Sequence, residues 1–76
     1  MIKYINVIAK MEIDGIPKPI EIIWENGKSY NISKITDIRK KASTKGGGAG
    51  LRYTCIINGK ERFLFLVDYK WLIEID

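Results

Sequence analysis

The sequence contains no histidine and only one cysteine, Cys55. Without histidine, the commonest general base and the usual serine and cysteine triads are missing, so we expect no enzyme. A single cysteine cannot form an intrachain disulfide, and four-ligand zinc sites draw on sets of Cys and His that this chain lacks. We therefore expect neither a metal nor another cofactor.

Long apolar runs are also absent. No stretch approaches the roughly 20 apolar residues that a membrane-spanning helix requires. The first ten residues are interrupted by Asn6 and Lys10, which is typical of a strand and not of a secretion signal. Cys55 lies in an apolar run, where a free thiol packs as a small hydrophobic side chain in a reducing compartment. The sequence therefore predicts a cytoplasmic protein.

What the chain does contain is an apolar period close to two, which is typical of half-buried strands. Its 76 residues predict one domain, 1–76. The three-residue steps between Ile32, Ile35 and Ile38 predict a bulge near Ser33-Lys34. We expect an all-β fold, a small antiparallel SH3-like barrel of about five or six strands, with an OB-type barrel as the alternative. The predicted strands are 2–13, 19–25, 29–39, 51–57, 61–67 and 71–75.

Two Asn-Gly pairs, Asn26-Gly27 and Asn58-Gly59, predict hairpin turns. A three-residue loop at 25–27 would place Ile22 opposite Tyr30 and Ile20 opposite Ile32, so the apolar faces coincide, with Gly27 in a left-handed conformation. By the same argument, a loop with an odd number of residues at Asn58-Gly59 would place residues 51 and 53 on the same face of the sheet as residues 63 and 65. We therefore predict three-residue loops at both turns.

The same alternation divides the aromatic residues between core and surface. Only Tyr4 and Tyr69 are predicted to be surface rings. The segment 63–67 is apolar on both faces, which predicts a central strand that is covered on both sides. The predicted core rings are Trp24, Tyr30, Phe63, Phe65 and Trp71.

The positive charge of the chain is concentrated between residues 34 and 52. This segment has six basic side chains and one acidic one, whereas the rest of the chain has seven basic and eight acidic. It also contains Ser, Thr and four glycines, and such loops position nucleic-acid backbones through side chains and free N–H groups. A solvated surface loop is the alternative. The candidate ligand-binding residues are Lys34, Arg39, Lys40, Lys41, Lys45 and Arg52.

The segment 19–35, with Pro19, Trp24, Gly27, Lys28 and Tyr30 followed by aliphatic residues, resembles a pattern of small uncharacterised bacterial domains with an SH3-like barrel. Their last strand is similar to 71–74 as well. These positions build the fold, so the resemblance implies a barrel and no activity.

Two functions remain as hypotheses. The first is a non-catalytic binding module, a protein-interaction or accessory barrel that binds another protein or itself. The second is binding of DNA or RNA through the basic, glycine-rich segment 34–52. Neither hypothesis involves a membrane.

Overall fold

The computed structural model describes residues 1–42 and 49–75, with the side chains of 1–40 and 50–75, and it is all-β. It contains seven strands, whereas the sequence predicted five or six. The strands are β1 Ile2–Tyr4, β2 Asn6–Met11, β3 Pro17–Ile23, β4 Ser29–Ala42, β5 Ala49–Ile57, β6 Lys60–Val67 and β7 Lys70–Glu74.

All seven strands form one antiparallel sheet in the order β1-β7-β6-β5-β4-β3-β2. The predicted first strand is divided at Ile5, because the chain changes partner there. The Ile5 N–H donates to the Trp71 carbonyl at 3.1 Å, whereas Asn6 is already paired with Ile23 on β3. β1 and β2 thus lie on opposite edges of the sheet although only Ile5 separates them. The sheet must therefore curl until its two edges meet at this residue.

Two bulges in β4 explain the three-residue spacing of its isoleucines. The β4–β5 register shifts between Ile32 and Lys34 and again between Ile35 and Asp37. The hydroxyl groups of Ser33 and Thr36 donate to carbonyl oxygens of β5 at 3.0 Å and 3.2 Å. Each bulge adds one residue to β4, so a three-residue step there matches a two-residue step on β5. The bulge predicted near Ser33-Lys34 is confirmed, and the second one was not predicted.

The bulges align the isoleucines of β4 with the core residues of β5. Ile32, Ile35 and Ile38 are the Cα partners of Ile57, Cys55 and Tyr53. These three partners are buried, and Tyr53 and Cys55 have no exposed surface. The buried core on this inner face consists of Ile22, Tyr53, Cys55, Ile57, Leu64 and Ile73.

The turn at residues 25–27 has the predicted three-residue form. The Trp24 N–H donates to the Lys28 carbonyl at 2.7 Å, and Gly27 has a φ of 85°. Ile22 is paired with Tyr30, as predicted. The predicted pair of Ile20 with Ile32 does not form, because Ile20 is the extra residue at a bulge against β2 and the β3–β4 ladder ends before it.

The second Asn-Gly turn is a correction to the prediction. Ile57 is paired directly with Lys60, so the loop contains only Asn58 and Gly59, both with positive φ, as in a type I′ turn. Tyr53 consequently faces Leu64. The prediction was wrong because 63–67 is apolar on both faces, so either register brings apolar residues together.

That change of register also corrects the predicted core. Leu64 is fully buried, and its neighbours Phe63 and Phe65 project to the opposite, outer face, where they are half-buried. The strand is therefore not covered equally on both sides. The other three predicted core rings, Trp24, Tyr30 and Trp71, do pack against the core.

Candidate functional site

The predicted basic set does not form one continuous patch among the described residues. Arg39 on β4 and Arg52 on β5 are direct Cα partners on the outer face. Lys40 is exposed, but because it follows Arg39 in the strand, its side chain leaves the backbone on the opposite face of the sheet. Its partner there is Leu51. Lys34 is exposed beside the first bulge. The side chain of Lys41 and all of Lys45 lie outside the described residues.

The two opposed arginines have different surroundings. Arg39 donates from Nε to the Asp37 carboxylate at 2.8 Å, in an ion pair with substantial solvent exposure. The Arg52 guanidinium lies over the Phe63 ring, 5.3 Å from its centroid. Its Nε is buried and has no hydrogen-bond partner among the described residues. Within the described part of the chain, Arg52 is therefore held by a ring and by no carboxylate.

A groove of about 650 Å³ lies where the two edges of the sheet meet. One wall comes from the end of β3 and the following turn, another from the β6–β7 turn and the start of β7, and Ile5 with its neighbours lies between them. Four of the eight aromatic residues of the chain line it. We call this feature the aromatic groove, after its rings Tyr4, Trp24, Tyr69 and Trp71.

Tyr69 is the most exposed of these rings, with its full surface accessible to solvent (101%). It lies in the two-residue turn Asp68-Tyr69 that joins Val67 to Lys70. Both turn residues have positive φ, 51° and 63°. Such a conformation suits Asn or Gly, and a bulky residue in it is strained by about 1–3 kcal/mol. The Tyr69 ring gains no burial in the free protein that would offset this strain.

The cations of the groove are held against its rings. Lys3 Nζ is 2.9 Å from a Glu25 carboxylate oxygen and 5.2 Å from the centroid of the Trp24 ring. Lys70 Nζ is 5.8 Å from the centroid of the Tyr4 ring. Glu25 offsets only one of the two ammonium groups, so the groove combines flat apolar surfaces with a net positive charge.

Buried groups fix the base of the groove. The rings of Tyr53 and Trp71 pack at 5.3 Å between centroids, and the Tyr53 hydroxyl donates to the Pro17 carbonyl. Burial raises the pKa of Tyr53 to about 12. Burial also raises the pKa of Cys55 to about 11. Both groups are therefore neutral at physiological pH, and the Tyr53 ring connects Trp71 to the buried core.

Comparisons with protein-family models, curated proteins and solved structures found no match. The resemblance of 19–35 to small bacterial domains accordingly stays a prediction. Within 1–42 and 49–75 there is no helix that is long and apolar enough to cross a membrane. The same residues contain no group of three or more Cys, Asp or Glu side chains that would hold a metal ion.

Two rings of the groove could be predicted from the sequence, but the groove itself could not. Tyr4 and Tyr69 were predicted to be exposed, and they are. Their proximity to Trp24 and Trp71 depends on the curl of the sheet, which alternation does not predict. One local signal was available: Asp68-Tyr69 occupies a tight turn between two strands, where Asn-Gly is the usual choice.

Proposed function

We propose that this chain is a non-catalytic protein-interaction module, a small SH3-like barrel that holds an extended peptide segment of a partner protein in the aromatic groove. The curled antiparallel sheet, whose edges are joined by the continuous segment β1–β2, supports the barrel architecture. Aromatic-lined grooves on small β domains are a recurring means of binding extended peptides.

The exposed, strained Tyr69 carries this proposal. The chain itself offers the comparison, because the other two-residue turn with positive φ has Asn58-Gly59, the residues that suit this geometry. Tyr69, at the position equivalent to Gly59, lowers the stability of the fold, and burial of its ring does not offset this loss. A role in ligand contact explains why a ring is present there, since strained residues concentrate at ligand-binding sites.

The chemistry of the groove indicates the kind of peptide. Trp and Tyr offer flat apolar surfaces with a polar N–H or O–H at one end, which suits proline and other apolar residues in an extended backbone. A polyproline II segment loses little entropy on binding, because it is already extended in solution. Lys3 and Lys70 favour an acidic residue beside the prolines.

Intrinsic fluorescence tests the proposal directly. Trp24 and Trp71 are the only tryptophans of the chain, and both line the groove. We expect a library of proline-rich peptides with flanking acidic residues to contain sequences that change this emission in a saturable way. Tyr69→Gly should weaken the binding of those peptides at least tenfold, because it removes one ring of the groove.

The stability of the same variant provides a second readout. Tyr69→Gly should raise the melting temperature, because glycine accepts the positive φ without strain. Ile13→Gly is the matched control, since Ile13 is equally exposed in the β2–β3 turn and does not line the groove. It should leave peptide affinity unchanged. If no peptide changes the emission, or if Tyr69→Gly binds as tightly as the parent chain, the groove is not a peptide site.

A further inference from the structure

A row of residues crosses the outer face of the sheet in exact register. Each residue is the Cα partner of the next, across β1, β7, β6, β5 and β4. With neighbouring strands about 4.8 Å apart, the row is about 19 Å long. We call it the outer row; it consists of Tyr4, Leu72, Phe65, Arg52 and Arg39.

One end of the outer row presents aromatic and aliphatic surface. Phe65 points away from the core because its neighbours Leu64 and Leu66 occupy the inner face. It is half-buried, and Tyr4 is 68% exposed. Rings on an open sheet face are the platforms on which unpaired bases stack, and any base has a flat face for this contact.

The other end of the row places like charges together. Arg39 and Arg52 are directly opposed, and like charges in that arrangement destabilise a sheet. Asp37 contacts Arg39, but Arg52 has no hydrogen bond from its buried Nε within the described chain. An anion bound at this end of the row would offset the two positive charges. Arginine binds phosphate, like carboxylate, through two parallel N–H···O hydrogen bonds.

We propose that the outer row binds single-stranded nucleic acid, with phosphates on Arg39 and Arg52 and bases stacked on Phe65 and Tyr4. This surface is distinct from a peptide site in the aromatic groove, although Tyr4 and Lys70 border both. Single strands fit better than duplexes, because the bases of a duplex are stacked on one another and do not reach rings on a flat face. Lys70, one position beyond the row on the outer face, adds a third cation.

Salt-dependent binding provides the test. The probes are labelled single-stranded DNA and RNA, the matching duplexes, and poly-glutamate as a non-nucleic polyanion. Three phosphate contacts on a single strand predict a slope of about −2 in log affinity against log salt, or roughly a twentyfold loss between 50 and 200 mM. We expect single strands to bind with this slope, and duplexes and poly-glutamate to bind more weakly.

Substitutions separate the two parts of the row. Arg52→Gln should weaken single-strand binding and reduce the slope by about 0.7, because one phosphate contact is lost. Arg39→Gln, at a more exposed side chain, should do the same and guards against a folding defect in the first variant. Phe65→Leu should weaken binding roughly tenfold or more without changing the slope, since stacking does not depend on salt in this way.

Control variants test whether nucleic-acid binding by the outer row is independent of the aromatic groove. Lys28→Gln removes an exposed cation in the β3–β4 turn and should change neither affinity nor slope. Tyr69→Gly should leave nucleic-acid binding intact, so either proposal can fail while the other stands. The outer row is not a nucleic-acid site if single strands do not bind at 50 mM salt. The same conclusion follows if poly-glutamate binds equally well, or if Arg52→Gln and Phe65→Leu bind like the parent chain.

Discussion

Replacing the buried Tyr53 by phenylalanine tests how the core supports the groove. The ring would remain against Trp71, but its hydrogen bond to the Pro17 carbonyl would be lost. A hydrogen bond of this kind contributes about 1 kcal/mol net, so Tyr53→Phe should be less stable by about that amount at pH 8. For a domain of this size the melting temperature should fall by about 4–8 °C.

The difference between the two proteins should then shrink as the pH rises. Burial raises the pKa of Tyr53 from its ordinary 10.0 to about 12, so the folded state favours the neutral phenol. Its contribution to stability is complete below pH 10 and is lost as the pH rises from 10 towards 12. Between pH 8 and pH 11 the parent chain should lose about 1.4 kcal/mol from this group alone, and Tyr53→Phe should not.

Denaturant titrations of both proteins at pH 8 and pH 11 measure the effect. Cys55 is present in both chains, so the part of its high-pH contribution that comes from its own burial cancels in the comparison. The expected result is a difference of about 1 kcal/mol at pH 8 that vanishes or reverses at pH 11. A difference that is the same at both values would refute the reasoning, because the phenol would then titrate equally in the folded and unfolded states.

Two further predictions concern the close packing of Gly50 against Val67 and the burial of Cys55. Gly50→Ala should lower stability by about 1–3 kcal/mol, because the new Cβ would be only 2.7 Å from Val67 Cγ2. In a double-mutant cycle measured by thermal denaturation, Val67→Ala should recover part of this loss. Cys55 has no exposed surface, and burial raises its pKa to about 11. A chromogenic disulfide reagent at pH 8 should therefore modify Cys55 only as fast as the protein unfolds. Rapid modification under native conditions would show that the thiol is accessible.

The two Asn-Gly turns show how far the sequence can predict this fold. At Asn26-Gly27 the flanking strands have one clearly apolar face, so alternation selects a single register, and the predicted three-residue loop and the pair of Ile22 with Tyr30 are confirmed. At Asn58-Gly59 the following strand is apolar on both faces, so both registers bring apolar residues of the two strands together and both leave some polar residues opposite apolar ones. The actual register is consistent with Asn58 adopting the positive φ that a two-residue turn requires. Alternation therefore predicts register only where one face is polar.

Predicting the candidate sites requires even more knowledge of tertiary structure than predicting the strand register. The charge cluster was visible in the sequence, but only the β4–β5 register shows that Arg39 and Arg52 are opposed while Lys40 starts from the other face. The bulge at Thr36 contributes to this outcome, because it changes which residues of β4 project outward. The aromatic groove joins residues from both ends of the chain, and its formation requires the curl of the whole sheet.

The pairing of β1 with β7 has a consequence for the folding of the chain. Ile2 is paired with Glu74, and the Ile75 N–H donates to the Met1 carbonyl at 2.7 Å. β1 pairs with the strand furthest from it in sequence, whereas the strands from β2 to β7 each pair with a neighbour next in sequence. The local hairpins can form early in folding, but the contact that joins the two edges closes the longest loop and has the largest entropy cost. Until that contact forms, β1 has no strand to pair with, and the side chains of Ile2 and Tyr4 are not yet held against the sheet.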